Sequence, residues 1–142
     1  MIDRAAIVTA ARRWIDTPYV DQHSRVCVGA DCLGLILGVG RDVGTLTAYR
    51  PPAYTPNPDG KMLRREADAA LVPVYQRVQP GMVGLFWYAH RRWPQHLAIF
   101  TDYRGLGMIH ALSGHAVREH SINSFWSLRF VRAYDFPGVA DG

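Results

Sequence analysis

Asp31-Cys32-Leu33-Gly34-Leu35-Ile36 puts a thiol at the point where a polar loop turns into an apolar helix. Upstream stand turn and polar residues, Asp21, Gln22, His23, Ser24 and Gly29; downstream come Leu33, Ile36, Leu37 and Val39. The pattern predicts a helix from about Cys32 to Val43, with Asp31 placed to cap it and Gly44 to stop it. Gly34, Gly38 and Gly40 each weaken a helix by roughly 1 kcal/mol relative to alanine. Gly34 and Gly38 are four apart and share a face, which predicts that this bare face lies close against a sheet. A cysteine at the first turn also feels the positive end of the helix dipole, which lowers the cost of its thiolate.

Outward from this helix, the chain reads as helices first and strands afterwards. Asp3 can cap a helix running to about Trp14, along which Ala6, Ile7, Ala10, Ala11 and Trp14 recur at helical spacing. Asp16-Thr17-Pro18 ends it, because Pro18 has no backbone donor and biases Thr17 toward extended geometry. Residues 18–31 read as a loop. Residues 49–60, with Pro51, Pro52, Pro56, Pro58 and Gly60, read as an irregular excursion. Residues 61–71 read as a helix with Leu63, Ala67, Ala70 and Leu71 on one side. After a Pro80-Gly81 turn, strands are expected at about 83–88, 96–101, 107–111, 115–119 and 128–135. This order predicts an α+β fold.

The 142 residues, 49% of them apolar, suit one domain over residues 1–142 with a sizeable core. No apolar run reaches the length of a membrane span, so no membrane insertion is expected. The net charge is +4 with histidine neutral, and pairs such as Arg12-Arg13, Arg64-Arg65 and Arg91-Arg92 are scattered rather than massed. No nucleic-acid motif accompanies that charge, so no nucleic-acid partner is expected; a mild positive field favours an anionic polymer. Met1-Ile2-Asp3-Arg4 opens no signal-peptide pattern, and synthesis in the cytoplasm without general export is expected. The two cysteines, Cys27 and Cys32, form no disulfide framework.

A thiolate nucleophile needs a base, and the base needs an orienting group. His96 opens the apolar run His96-Leu97-Ala98-Ile99-Phe100, and His110 lies within Met108-Ile109-His110-Ala111-Leu112. Each residue has a plain alternative. Cys32 is a nucleophile or a small buried hydrophobe; His96 is a general base or a strand-end surface residue; His110 is an orienter or a core-edge histidine. On a strand His96, Ala98 and Phe100 share a face, and the small Ala98 would leave room there for the cysteine helix. Asp31 is expected to turn its carboxylate away from the thiol, and Cys27 to be structural or incidental. His110, His115 and His120 recur every five residues, but odd spacing along one strand alternates faces, and no metal site or cofactor is expected. Trp87, Tyr88 and Trp93 are substrate-groove or core aromatics.

Cysteine on a helix, then histidine and a polar orienter on strands, is the layout of papain-like cysteine hydrolases. Thr17-Pro18-Tyr19, Asp31-Cys32-Leu33-Gly34-Leu35, Gln95-His96-Leu97-Ala98-Ile99 and Ile109-His110-Ala111 together resemble the NlpC/P60 family of peptidoglycan-cleaving cysteine peptidases. More narrowly the chain resembles the cell-wall peptidases encoded with phage and gene transfer agent tails. Pro-Pro-Ala-Tyr-Thr-Pro at 51–56 and Leu71-Val72-Pro73-Val74 carry that narrower likeness. The resemblance implies a papain-like α+β fold with N-terminal helices packed on an antiparallel sheet. It implies catalytic Cys32, His96 and His110, and Tyr19 beside the site as oxyanion or substrate support. It further implies cleavage of a D-γ-glutamyl–diamino acid bond, tail hub or baseplate partners, and delivery to the periplasmic wall as a virion component. The alternatives are a structural tail protein with a vestigial site, or a thiol acyltransferase on the same fold. One departure from the family pattern is Pro80-Gly81-Met82-Val83, which stands where many members carry Gly-Asp, and it bears on a local turn.

Overall fold

Asp31 adopts an extended backbone and its carboxylate accepts the Gly34 N–H at 2.7 Å, which starts helix α2 (Cys32–Asp42). At the other end Gly44 takes φ +89°, a left-handed turn that glycine enters without a Cβ penalty. The Thr45 N–H then reaches the Gly40 carbonyl at 2.8 Å and the Gly44 N–H the Arg41 carbonyl at 3.1 Å, closing the helix. Helix α1 (Arg4–Arg12) starts the same way, with Asp3 accepting the Ala5 N–H at 3.1 Å. The computed structural model describes residues 1–52, 61–89, 92 and 94–140. Residues 53–60 of the proline-rich excursion at 49–60, and with them most of the 51–56 motif, lie outside them, as does Trp93.

Between α1 and α2 the chain is not plain loop, as expected at 18–31, but a short hairpin, β1 (Ser24–Arg25) and β2 (Gly29–Ala30). Tyr19 bridges to Ala30 beside it. Helix α3 (Lys61–Ala70) follows, then strands β3 (Val72–Val74), β4 (Val83–Phe86), β5 (His96–Thr101), β6 (Gly107–His110) and β7 (Arg118–Ser121). A single helical turn α4 (Ser124–Ser127) and strand β8 (Phe130–Asp135) complete it. The six long-sheet strands run antiparallel in the order β3-β8-β4-β5-β6-β7. The fold class is therefore the expected α+β arrangement, helices packed on an antiparallel sheet. Among the described residues no helix is long and apolar enough to cross a membrane.

The sheet has two buried faces. On one, Val83, Leu85, Leu97, Ile99 and Ile109 pack with Ile7, Ala11, Leu35, Ile36 and Val39 of α1 and α2 and with Leu63 and Ala67 of α3. On the other, Met82, Phe86, Ala98, Phe100, Met108, Trp126 and Ala133 form a second, aromatic core. This corrects the expected role of Ala98. The cysteine helix lies across the Leu97–Ile99 face, and small Ala98 and Gly84 instead accommodate rings: a Cβ on Gly84 would lie 2.7 Å from Phe100 and Phe86. The bare face of α2 is likewise not turned to the sheet. A Cβ on Gly38 would meet the Trp14 ring at 2.2 Å, and one on Gly34 the His23 carbonyl oxygen at 1.9 Å.

Three further elements differ from the sequence reading. Strand β3 was not expected; it is an edge strand, where Pro73 costs no ladder bond on its open side. The turn α4 is capped by Asn123, which accepts the Trp126 N–H at 3.1 Å, and it delays β8 to Phe130. Strand β7 begins at Arg118, not 115. Gly114 (φ +87°) turns the chain, and Val117 spends its N–H on the Thr17 carbonyl at 2.9 Å. The departure at Pro80-Gly81 leaves the turn intact: Gly81 (φ +91°) donates its N–H to the Phe100 carbonyl at 2.8 Å.

Candidate active site

Helix α2 and strand β5 present their first residues at the same end of the sheet. Cys32, partly exposed, and His96, 3% exposed, line one cleft with Tyr19, Asp21, Asp31, Tyr88, Gln95, Leu112 and Ser113. The Cys32 sulfur lies against the backbone amide of Leu97, the residue after His96. His110 stands behind His96, and His96 Nε2 and His110 Nδ1 are 2.7 Å apart. Pairing explains the contact: Ile99 faces Ile109, so His96 and His110 project from neighbouring strands onto the same face. The structure thus brings together Cys32, His96, His110 and Tyr19. Cys27 lies apart, an exposed free thiol whose N–H bonds Thr17 Oγ1 at 3.0 Å.

Two residues complete the surroundings that sequence reading missed. Trp126 stacks on the His96 ring at 4.9 Å and 29°, and meets His110 edge-on at 5.3 Å. Its four-residue helix leaves no periodic signal to find. His120 lies 2.8 Å, Nε2 to Nε2, from His110, and its Nδ1 is 2.8 Å from the Ser121 carbonyl oxygen. His120 does not alternate away from His110 as its odd spacing predicts, because the turn at 113–117 puts it on the next strand, opposite Met108 and on the His110 face. Its nitrogens engage protein groups; among the described residues no group of three or more His, Cys, Asp or Glu side chains is arranged to hold a metal ion. Tyr88 lines the cleft and stacks on Trp126 at 5.9 Å. Trp87 is covered by the Arg129 guanidinium, 4.4 Å above its ring.

Burial dominates the electrostatics. It pushes the Cys32 thiol up to about 12, helped by the Asp31 carboxylate and opposed by the Leu97, Leu33 and Cys32 amides. The helix start does favour the thiolate, as expected, but burial and Asp31 outweigh it. Asp31 does not escape the thiol: it is tied at the helix start by Gly34 N–H and by the Gln22 N–H at 2.8 Å. Burial lowers His96 to about 3. It lowers His110 to about 2, with His96, His120, Arg118 and His115 adding repulsion. The Tyr19 hydroxyl is raised by burial, then by Cys32, Asp21 and Asp31. The resting site therefore holds a neutral thiol beside neutral imidazoles.

Two outcomes follow. Asp31→Asn keeps one cap acceptor but removes the charge beside the thiol. The iodoacetamide rate of Cys32 at neutral pH should rise, at a stability cost of about 1 kcal/mol. An unchanged rate–pH profile would show that Asp31 does not govern the thiol. Acid should also destabilise the fold. With both folded values below the usual 6.5, the unfolded chain takes up protons that the folded site refuses. The stability is present above about pH 6.5 and is lost as pH falls, by about 1.4 kcal/mol per unit for each histidine kept neutral. Melting temperature should fall between pH 6.5 and 5, above the carboxylate range, and fall less steeply in His110→Gln. Equal slopes would mean that His110 takes up its proton in the folded protein.

A scan against protein-family models finds no match to this chain, and no curated protein matches it in sequence. Solved structures match it in fold. The NlpC/P60 domain of the peptidoglycan hydrolase SagA superposes with TM-score 0.62 and 26% identity, over 94% of this chain and 98% of that one. An NlpC/P60 family protein from Bacillus cereus ATCC 10987 has TM-score 0.67 and 16% identity over 94% of this chain. A protein similar to lipoprotein, NLP/P60 family, from Staphylococcus aureus subsp. aureus Mu50 has TM-score 0.63 and 18% identity over 97%. This chain spans 40% and 42% of the length of those two. Its fold is that of NlpC/P60 domains, a papain-like α+β arrangement.

Proposed function

We propose that this chain, as one domain, is a cysteine peptidase that hydrolyses peptide bonds in peptidoglycan. The observation that carries the reading is a thiol at a helix start and a buried imidazole lining one cleft, with the imidazole's far nitrogen held 2.7 Å from a second histidine. Likeness to the SagA domain, whose parent is named a peptidoglycan hydrolase, supports the substrate class.

In this mechanism His110 occupies His96 Nε2, which leaves His96 Nδ1 for the cleft. As substrate enters, Nδ1 takes the Cys32 proton and the sulfur attacks the amide carbon. The Cys32 backbone N–H and the Tyr19 hydroxyl support the oxyanion. Collapse passes the proton from His96 to the leaving amine and leaves a thioester, which water hydrolyses with His96 again as base. A neutral resting pair suits this sequence, because charge separates only when the carbonyl is there to use it. The bond we assign is D-γ-glutamyl to a diamino acid. The setting we assign is a phage-like or gene transfer agent tail, beside hub or baseplate proteins, acting on the wall in the periplasm.

The high thiol value favours a second reading, a structural tail component with a vestigial site. Purified peptidoglycan incubated with the protein, followed by mass analysis, separates the readings. Stem fragments with a new amino terminus on the diamino acid are expected. Transfer of the acyl group to an added amine would indicate an acyltransferase. Undigested wall, under conditions where the folded protein is intact, would overturn the peptidase reading.

A further inference from the structure

The hydrogen-bond chain behind the cleft has a direction set by its far end. The Ser121 carbonyl can only accept, so His120 Nδ1 carries a proton. In neutral His120, Nε2 is then bare and accepts from His110 Nε2–H; His110 Nδ1 is bare in turn and accepts from His96 Nε2–H. His96 Nδ1 is left unprotonated at the cleft, the tautomer a base requires. The row runs from the Cys32 cleft to a second cavity lined by His110, His115, Arg118, His120, Ser121 and Asn123.

We propose that His120 is the terminus of a proton relay, so that the proton leaving Cys32 is balanced by a charge on His120 at the second cavity and not on His96. This rests on the catalytic reading above and deepens it. The transfer balances in three steps: Cys32 Sγ–H to His96 Nδ1, His96 Nε2–H to His110 Nδ1, and His110 Nε2–H to His120 Nε2. His96 and His110 end neutral with inverted tautomers, and His120 ends as imidazolium. The physical reason is solvation. His96 and His110 are each 3% exposed and packed against Trp126, whereas His120 is half-buried on an edge strand. The groups facing His120 are His110 from β6, Arg118 on its own strand, and His115, whose Nδ1 lies 2.9 Å from Arg118. Arg118 opposes the charge, and the Ser121 carbonyl and the open cavity favour it. Glu119 faces away and binds Arg12 on α1. A consequence is that a His120 protonated beforehand reverses the row, makes His96 present an N–H to Cys32, and switches the base off. His120 is thus a positioning residue that also receives the proton.

Long-range proton–nitrogen correlation on protein with labelled histidines reads each tautomer without any substrate. At neutral pH His96 and His110 are expected as Nε2–H and His120 as Nδ1–H. On acidification imidazolium should appear at His120 while His96 and His110 invert to Nδ1–H. Imidazolium appearing first at His96, or no inversion, overturns the relay. Iodoacetamide capture of Cys32 gives a second reading in His120→Gln and His120→Phe. Glutamine can still accept from His110 Nε2–H but cannot take the proton. Both variants should lose about tenfold or more in rate at neutral pH. A glutamine variant equal to wild type would reduce His120 to orientation alone and overturn the relay. Should the phenylalanine variant fail to fold, the glutamine variant and the spectra still decide. Because neither readout uses peptidoglycan, undigested wall with an inverting row overturns the function alone, and digestion without inversion overturns the relay alone.

Discussion

Cys32→Ala is expected to abolish fragment release from purified peptidoglycan, by a factor on the order of 10⁴ or more, while the fold persists. The sulfur is the only atom in the variant lost from the cleft, and cysteine to alanine at a partly exposed helix start should cost within about 1 kcal/mol. Cys27→Ala is the internal control, since that thiol is exposed and away from the cleft. His96→Ala should be nearly as damaging, because no other described imidazole lines the cleft. His110→Ala should cost less, because it leaves the base in place but frees its ring and strands a buried nitrogen. Circular dichroism must show the wild-type melt for Cys32→Ala if the loss is chemical. Equal digestion by wild type and Cys32→Ala would end the mechanism.

Gly34→Ala should be the most destabilising small substitution near the site. Its Cβ would lie 1.9 Å from the His23 carbonyl oxygen and 2.9 Å from the His23 carbonyl carbon, so backbone, not a flexible side chain, must move. That backbone is clamped. The Asp31 N–H bonds the same His23 oxygen at 3.3 Å, Ser24 Oγ donates to the Gly34 carbonyl at 2.5 Å, and Arg41 holds Ser24 Oγ at 2.6 Å. The hairpin and the start of α2 must separate, at a cost of roughly 3 kcal/mol or more. Gly44→Ala, with φ +89° but open space, should cost only about 1 kcal/mol. Urea melts give both values. A Gly34→Ala protein within 1 kcal/mol of wild type would mean that the contact is not rigid. Because Cys32 is carried on the same turn, whatever folded fraction survives should also show a changed thiol alkylation rate.

What the chain determined by itself was local. Asp3 and Asp31 cap helices because short carboxylates reach the orphaned amides wherever the chain starts a helix. Gly44 stops α2 because only a left-handed residue closes it there. The helix-then-strand order, and the places of Cys32 at a helix start and His96 at a strand start, were legible for the same reason: each depends on residues near one another in sequence, or on a recurring motif. What only the tertiary structure decided was between elements. Which sheet face α2 covers depends on strand pairing, and parity along β5 alone could not say that Leu97 and Ile99, not Ala98, meet the helix. Gly34 and Gly38 announced a close neighbour but not that it is a hairpin and Trp14. His120 joined the histidine row only when a turn ending near Val117 set the register of β7 against β6. The thiol's protonation was decided in the same way. A helix dipole is written in the local sequence, but burial is a property of everything packed around the sulfur, and here burial is the larger effect.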